Sequence, residues 1–377
     1  MDKTSILNAS IDHFFLRAGL APQAQRGCYT FIEELYPGEP ITPASSQGYC
    51  SFTVFVGESL VVQFRPTIYK VDLQIAQAAR ELYGTYAPDT RYLGNLPSSG
   101  LLAYSMNRIE GISFKDFRYT NATTAQSTEH RRRLCKDFAE FLARGWHSNN
   151  NTSIPLGMVG LSIVSRLKAL VTDLPLRFQS TARNVLRQLH RIEALPWVLT
   201  HGDIIAANII VDPSSCYLRG FVDWAEAERL PFGVCFYGLE EILGEMTPSG
   251  FRRHPDSEDL RNSFWEELKA QIPELRQGHV LEAVKLARDL GVLLWHGIAF
   301  DDGAIDRVVQ EGRDVEETQR LDAFLDLDTE HQMDISHDLT LGVSPVPFQA
   351  AKHHLLTRSH ETPKETIYPL NDTPVCS

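Results

Sequence analysis

Three polar side chains interrupt two apolar, strand-like runs in the second half of the chain. Asp203 and Asn208 precede the run Ile209–Val211, and Asp223 follows the run 218–222. The turn residues 213–215 between the runs predict a hairpin, which brings the three side chains to one rim. A polar turn beside an ordinary surface hairpin is the alternative, because Asp and Asn favour turns. The spacing favours a phosphoryl-transfer site, in which one carboxylate orients a hydroxyl while an amide and a second carboxylate hold magnesium.

The same segment carries a resemblance to a known family. HGDxxxxN, beginning at His201, followed by a strand ending in VDW at Asp223, resembles the aminoglycoside phosphotransferase and choline-kinase group, which has the protein-kinase-like fold. Residues 62–66, 226–233 and 294–297 are similar to its fungal branch, and the resemblance extends over residues 28–326. It implies that Asp203 is the catalytic base, that Asn208 and Asp223 bind nucleotide through Mg²⁺, and that His201 is a structural residue of the loop.

A kinase-like small lobe needs a loop over the nucleotide phosphates. The candidate is the segment 47–52, in which Ser51 offers a hydroxyl and the backbone offers N–H groups. Gly48 is its single glycine, so a simple loop before a strand is an equally good interpretation of this segment alone.

The strand lysine that such a lobe uses against the phosphates is missing here. Gln63 and Arg65 share one strand face by the alternation of period two, so one of them is predicted to contact the nucleotide. The family's pattern places the acidic partner of the next helix at Gln74, which is not acidic, and Asp72 and Glu81 are the other options; a pair between Arg65 and Asp72 would restore the ion pair by another route.

The acceptor site of this family lies mainly on the large lobe, below the catalytic loop. Carboxylates there would suit an amine, and a tryptophan would stack on a ring or a cation. Candidate substrate-binding residues are Trp224, Glu226, Glu240, Trp295, His296, Asp301 and Asp302, with Glu228 and Glu241 as further acidic candidates.

The order of the predicted helices and strands that position these residues indicates an α+β, protein-kinase-like fold of two lobes. Residues 1–26 form a predicted helical arm, and residues 27–107 a small nucleotide-binding lobe with an antiparallel sheet and one helix over 71–83. Residues 108–326 form a larger, mainly helical lobe that carries the catalytic hairpin and the substrate site. Residues 327–377 read as a polar C-terminal tail.

Composition narrows the class of protein. A formal charge of −12 argues against nucleic acid as a partner, because phosphate-binding surfaces need clustered Lys and Arg. No signal peptide and no run long enough to span a bilayer is evident, and the six cysteines have no metal-site spacing, so we expect a cytoplasmic protein with no membrane partner.

The sequence therefore predicts an enzyme that uses ATP (or GTP) and Mg²⁺ to phosphorylate a hydroxyl of a small, cationic or neutral molecule. The alternative is a catalytically inactive kinase-like module that binds or regulates, because the strand lysine is missing. A hydrolase is not expected, since the chain has no GxSxG motif.

Overall fold

The computed structural model describes residues 3–21, 23–45, 47–120, 124–148, 154–301 and 304–325, and the predicted tail 327–377 lies outside these ranges. We call residues 3–107 the N-terminal lobe and residues 108–325 the C-terminal lobe. The elements of the N-terminal lobe are, in order, α1 (Lys3–Arg17), α2 (Gln23–Leu35), β1 (Ile41–Pro43), β2 (Phe52–Val56), β3 (Leu60–Arg65), α3 (Leu73–Tyr83), β4 (Thr90–Asn95) and β5 (Leu102–Asn107).

The five strands form one antiparallel sheet in the order β1-β2-β3-β5-β4. Strand β2 alternates as the sequence predicts: Phe52, Val54 and Val56 are buried on one face. In the neighbouring strand, Gln63 lies opposite Thr53 and Arg65 lies opposite Leu102 of β5. The predicted hairpin of β2 and β3 and the predicted helix α3 are therefore both present.

Two helices precede the sheet, where the sequence predicted one arm and then strands from Cys28. Helix α2 instead runs through Cys28, because Ala24, Cys28 and Ile32 recur at a spacing of four and are all buried. Helix α1 buries Phe14 and Phe15 in the same apolar cluster as the inner face of the sheet. Both helices are thus packed parts of the N-terminal lobe.

The C-terminal lobe is mainly helical. Its elements are β6 (Ile112–Ser113), α4 (Phe114–Thr120), α5 (Thr124–His147), α6 (Met158–Asp173), α7 (Leu176–Arg187), α8 (Leu189–Glu193), β7 (Trp197–Thr200), β8 (Ile209–Val211), β9 (Leu218–Phe221), β10 (Glu228–Pro231), α9 (Gly238–Leu243), β11 (Gly244–Thr247), β12 (Gly250–Arg253), α10 (Ser257–Gln271), α11 (Gly278–His296), β13 (Ile298–Asp301), β14 (Ala304–Val308) and α12 (Val315–Phe324).

Three short strands carry the predicted hairpin. Strands β8 and β9 pair antiparallel and β6 adds to β8, while β7 pairs with β10. The turn between β8 and β9 is closed by Asp212, whose carboxylate accepts the backbone N–H groups of Ser214 and Ser215. Helix α11 ends at His296, four residues before the end that the sequence predicted, and a hairpin of β13 and β14 follows. No helix in the described part of the chain is long and apolar enough to cross a membrane.

Candidate active site

The loop from β7 to β8 holds the two predicted residues Asp203 and Asn208 together. The Asn208 side-chain amide donates to the Asp203 backbone carbonyl at 3.0 Å and to its carboxylate Oδ2 at 2.8 Å. Among the described residues, neither Oδ1 of Asp203 nor Oδ1 of Asn208 takes part in a hydrogen bond. One oxygen of each side chain is therefore left to face a ligand.

His201 and Gly202 fix the shape of this loop. The His201 ring donates from Nε2 to the Val222 carbonyl at 2.9 Å, and its Nδ1 accepts the Asp203 N–H at 3.2 Å. Burial lowers the pKa of His201 to about 4, so the ring is neutral at pH 7 and can donate and accept in this way. Gly202 has φ of +81°, and a Cβ there would lie 2.1 Å from the Glu226 carbonyl oxygen, so only glycine allows this approach.

Tyr237 supports the loop from the C-terminal lobe. Its hydroxyl donates to the Gly202 carbonyl and accepts the Ile204 N–H, each at 3.1 Å. The ring stacks on Trp295 with centroids 5.3 Å apart and planes 8° apart. No sequence motif indicates Tyr237, because it lies more than thirty residues along the chain from the loop that it contacts.

Asp223 follows β9 and adopts a left-handed conformation with φ of +62°. Aspartate tolerates this region better than most residues, and such conformations concentrate at functional sites. Its carboxylate Oδ1 accepts from Nη2 of Arg65 at 3.0 Å, across 158 positions of sequence. The Arg65 side chain is only 3% exposed and that of Asp223 is 39% exposed.

Three carboxylates crowd together at this point. Oxygens of Asp203, Asp223 and Glu226 lie within 4.8 Å of one another. Burial, then the charges of Glu226 and Asp223, raise the pKa of Asp203 to about 8. Glu226 is exposed as a residue, yet the groups around its carboxylate desolvate it; this desolvation and the charge of Asp223 raise the pKa of Glu226 to about 7. Hard oxygen ligands whose negative charges repel one another suit a divalent cation such as Mg²⁺, and the residues therefore fit a metal that they share with nucleotide phosphates.

On the N-terminal lobe, Gln63 and Arg65 act as one unit. The Gln63 amide oxygen accepts from Nε of Arg65 at 3.0 Å, and the Tyr69 carbonyl lies 3.4 Å from Nη1. The expected helix partners are elsewhere: Asp72 caps α3 by accepting two backbone N–H groups, and Gln74 and Glu81 are exposed. The Arg65–Asp72 pair that the sequence suggested is therefore wrong, and Asp223 takes the place of Asp72.

The loop before β2 is held by its own side chains. Gln47 donates to the Ala44 and Thr53 carbonyls, both at 3.0 Å, and accepts the Thr53 N–H at 2.8 Å. Ser51 is buried and its hydroxyl lies 3.1 Å from that of Thr53. The N–H groups of Gly48, Cys50 and Ser51 make no hydrogen bond within the described part of the chain.

The candidate acceptor residues fall in different environments. Trp224 is buried against Tyr83, and its indole N–H donates to the Phe221 carbonyl, so it belongs to the core. Glu240 is 0% exposed. It is surrounded by the guanidinium groups of Arg253, Arg261 and Arg288. Neither side chain is open to a substrate, and both predictions are corrected in this respect.

The other acceptor candidates are nearer the loop. His296 is buried and its Nδ1 lies 2.6 Å from the Glu317 carboxylate, which ties α11 to α12. Trp295 is half-buried beside Tyr237, and Glu226 is exposed within the carboxylate cluster. The side chains of Asp301 and Asp302 lie outside the described residues.

Comparisons with known proteins bear on this arrangement. The model of the phosphotransferase enzyme family matches residues 46–232, which include β2, β3 and the hairpin of β8 and β9. A search of curated proteins found no match. Among solved structures, the GDP complex of a mutant aminoglycoside 2'-phosphotransferase-IIIa aligns with a TM-score of 0.50 and 15% identity over 81% of this chain and 97% of that chain.

Two other solved structures are similar at lower scores. The GDP and kanamycin complex of a 2''-type aminoglycoside phosphotransferase has a TM-score of 0.49 and 15% identity, over 81% of this chain and 98% of that one. An aminoglycoside phosphotransferase from Streptomyces rimosus ATCC10970 has a TM-score of 0.44 and 16% identity, over 71% of this chain and 98% of that one. The structural likeness establishes the kinase-like fold, and the resemblance to a fungal branch stays a prediction.

Proposed function

We propose that this chain, which belongs to the phosphotransferase enzyme family through residues 46–232, transfers the γ-phosphoryl group of ATP or GTP to a hydroxyl group of a small molecule. The observation that carries the proposal is the cluster of Asp203, Asp223 and Glu226 within 4.8 Å, with Asn208 bonded to Asp203 and Arg65 bonded to Asp223. Catalysis of phosphoryl transfer rests on positioning and charge neutralisation, and this cluster supplies groups for both.

Asp203 is the proposed base. Asn208 holds its Oδ2, so Oδ1 is the atom that accepts the proton of the acceptor hydroxyl. Accepting that proton requires the ionised carboxylate, whose pKa is raised to about 8 by burial and by the neighbouring carboxylates. Cations placed beside Glu226 and Asp223 weaken this repulsion and so favour the ionised form of Asp203.

Asn208 and Asp223 are the proposed ligands of Mg²⁺. When bound, the metal neutralises charge on the nucleotide phosphates. The Asn208 amide oxygen is available for it, and the left-handed conformation at Asp223 directs the carboxylate back to the catalytic loop. Glu226 lies close enough to share in this site or to meet a cationic group of the acceptor.

Arg65 is the proposed phosphate-binding cation in place of the missing strand lysine. It is almost fully buried at the end of β3 and is held by Gln63 and by the Tyr69 carbonyl. A guanidinium presents two parallel donors, which suits phosphate oxygens. Its contact with Asp223 supports a position beside the proposed metal ligand.

The acceptor is proposed to be hydroxylated and to carry an amine. The acidic rim of Glu226 and Glu241 beside Asp203 favours a positive charge, as Glu241 also contributes to the raised pKa of Asp203. Half-buried Trp295 is the proposed aromatic contact for the acceptor, because it stacks on Tyr237, which holds the loop.

A screen of hydroxylated amines with Mg²⁺ and ATP or GTP tests the function. Release of nucleoside diphosphate, with a phosphorylated product in the mass spectrum, is the expected result. Asp203→Asn should lower turnover by a factor of about 10² to 10⁴ and leave nucleotide affinity within about twofold. Asp259→Asn, which changes an exposed carboxylate of α10, is the matched control.

Three outcomes separate the possibilities. Turnover that survives in Asp203→Asn contradicts the proposed base. Tight nucleotide binding without transfer to any acceptor favours an inactive binding module, which the neutral Gln63 at the lysine position would suit. Absence of nucleotide binding in the parent protein contradicts both functions.

A further inference from the structure

The last residue of helix α1 contacts the loop that precedes β2. Nη2 of Arg17 donates to the Tyr49 carbonyl at 2.5 Å, and the guanidinium carbon lies 3.9 Å from the centre of the Tyr49 ring. Arg17 is half-buried there. One side chain thus grips both the backbone and the ring of Tyr49.

Helix α1 is itself fixed to the strand that follows the loop. Phe15 packs on Phe52 with centroids 5.2 Å apart, and Phe14 stacks on Phe52 at 6.4 Å. All three rings are at most 4% exposed. Because Phe52 begins β2, the helix and the loop share one anchor, which keeps the backbone of Arg17 close to the loop.

Contacts continue from Tyr49 to the carboxylate cluster. The Tyr49 ring meets the Tyr69 ring edge-on with centroids 6.2 Å apart. The Tyr69 carbonyl accepts from Arg65, and Arg65 donates to Asp223. A chain of direct contacts therefore joins α1 to the proposed phosphate-binding cation.

Cys50, next to Tyr49, is in the same loop, and the pKa of its thiol is shifted. Burial raises the pKa of its thiol to about 11, and the charges of Arg65, Glu226, Asp223 and Arg17 all act on it. The loop 47–51 is placed by the contacts of Tyr49 with Arg17 and with Tyr69. Its backbone N–H groups at Gly48, Cys50 and Ser51 have no partner within the described residues, and such groups suit phosphate oxygens.

We propose that Arg17 is a positioning residue for the nucleotide: it holds the loop 47–51 where its N–H groups meet the phosphates, which makes helix α1 part of the nucleotide site. The proposal rests on the proposed function. Arg17 binds the Tyr49 carbonyl and Gln47 accepts the Thr53 N–H, so both side chains restrain the position of the loop. Arg17 acts through Tyr49 and is not a catalytic residue.

Calorimetric titration compares the parent with Arg17→Ala, Arg17→Lys and the control Arg26→Ala, which removes an exposed arginine from the neighbouring helix α2. The ligands are ATP or GTP with Mg²⁺, and the matching nucleoside, adenosine or guanosine. We expect Arg17→Ala to bind the triphosphate about five- to thirtyfold more weakly, the range of one charge-assisted hydrogen bond with cation–π stacking at a half-exposed site. Nucleoside affinity should change by less than about twofold, because a nucleoside has no phosphates for the loop to meet.

The triphosphate affinity of Arg17→Lys should lie between those of the parent and Arg17→Ala. A lysine keeps the positive charge but loses the planar contact of the guanidinium with the Tyr49 ring. Equal triphosphate affinity in Arg17→Ala and Arg26→Ala overturns the proposal. So does an equal loss for triphosphate and nucleoside, which indicates general damage to the lobe. A parent that binds neither nucleotide overturns the proposed function as well, so the two failures are distinguishable.

A second variant tests the proposal in case Arg17→Ala does not fold. Tyr49→Leu removes the ring that Arg17 stacks on and leaves α1 packed on Phe52. We expect a smaller loss confined to the triphosphate, because Arg17 keeps its contact with the backbone carbonyl of residue 49, and a combined loss smaller than the sum of the two single losses. Full additivity of the two changes overturns the proposal.

Discussion

The pair of Arg65 and Asp223 gives the sharpest prediction about the nucleotide site. In the protein without ligands, Arg65 neutralises the carboxylate that is proposed to hold magnesium, at 3.0 Å. If Asp223 holds the metal and Arg65 binds the phosphates as proposed, ligand binding would break the contact between Arg65 and Asp223 and give each side chain a new partner. Arg65→Ala removes both the guanidinium–phosphate contact and the contact that must first be broken.

The two effects of Arg65→Ala on nucleotide affinity have opposite signs. A charge-assisted contact to phosphate is worth about 1.5–3 kcal/mol in a desolvated cleft. Release of Asp223 returns up to about 1 kcal/mol, because that carboxylate is 39% exposed and screened by solvent. With the full 1 kcal/mol returned, the net loss is about 0.5–2 kcal/mol, or roughly two- to thirtyfold in nucleotide affinity.

Calorimetric titration of nucleotide at saturating Mg²⁺ measures the loss of the phosphate contact. Titration of Mg²⁺ without nucleotide measures the release of Asp223. Arg65→Ala should weaken nucleotide and tighten the bare metal, since Asp223 is then unpaired. Arg91→Ala, which removes an exposed arginine of β4 in the same sheet, should change neither. Unchanged nucleotide affinity in Arg65→Ala would refute the assignment of the phosphate-binding cation. Weaker binding of both ligands would refute the exchange of partners.

Four further predictions follow from the same geometry. Asp223→Ala should abolish the dependence of nucleotide affinity on Mg²⁺ concentration, and a parent-like metal titration would contradict its role as a ligand. Gln63→Lys should weaken ATP binding, because Gln63 accepts from Nε of Arg65 and a lysine there repels it; tighter binding would favour the usual lysine contact that the sequence suggested. Asp203 has a folded pKa raised to about 8, so the folded state binds more protons than the unfolded state above its ordinary pKa of about 3.9. The free energy of unfolding should therefore fall as pH rises from about 4 to about 8, and urea titrations at several pH values should show a flatter profile for Asp203→Asn. Burial favours the neutral form of Glu240, but Arg288, Arg261 and Arg253 outweigh this effect and hold the pKa of Glu240 below its usual range. Glu240→Gln should therefore lower the free energy of unfolding by about 3–5 kcal/mol. The KM for nucleotide should stay unchanged.

The sequence was sufficient for features that depend on neighbouring residues. The hairpin of β8 and β9 follows from two apolar runs and a turn, and Asn208 reaches Asp203 because only five positions separate them. Helix α3 ends at Gly84, and α5 carries the apolar face that its periodicity predicts. The shared face of Gln63 and Arg65 follows from strand alternation alone.

The sequence prediction was wrong where one segment or residue type fits two structural roles. Residues 28–35 read as the start of the strands, yet they form the second half of α2, because the spacing of four at Ala24, Cys28 and Ile32 extends across that boundary. Trp224 and Glu240 were candidates for the substrate on residue type. Their burial depends on the helices that pack over them, which type does not reveal.

Only the tertiary structure decided which charges meet. Arg65 and Asp223 belong to separate lobes, and their pairing depends on how those lobes pack. Glu226 joins the carboxylate cluster because Gly202 allows the loop to approach the Glu226 backbone, a contact between segments that no periodicity predicts. Arg17 reaches Tyr49 for the same reason, since helix α1 is placed by the burial of Phe14 and Phe15 on Phe52. A pattern along the chain determines which face a side chain occupies, and the packing of distant faces determines its partner.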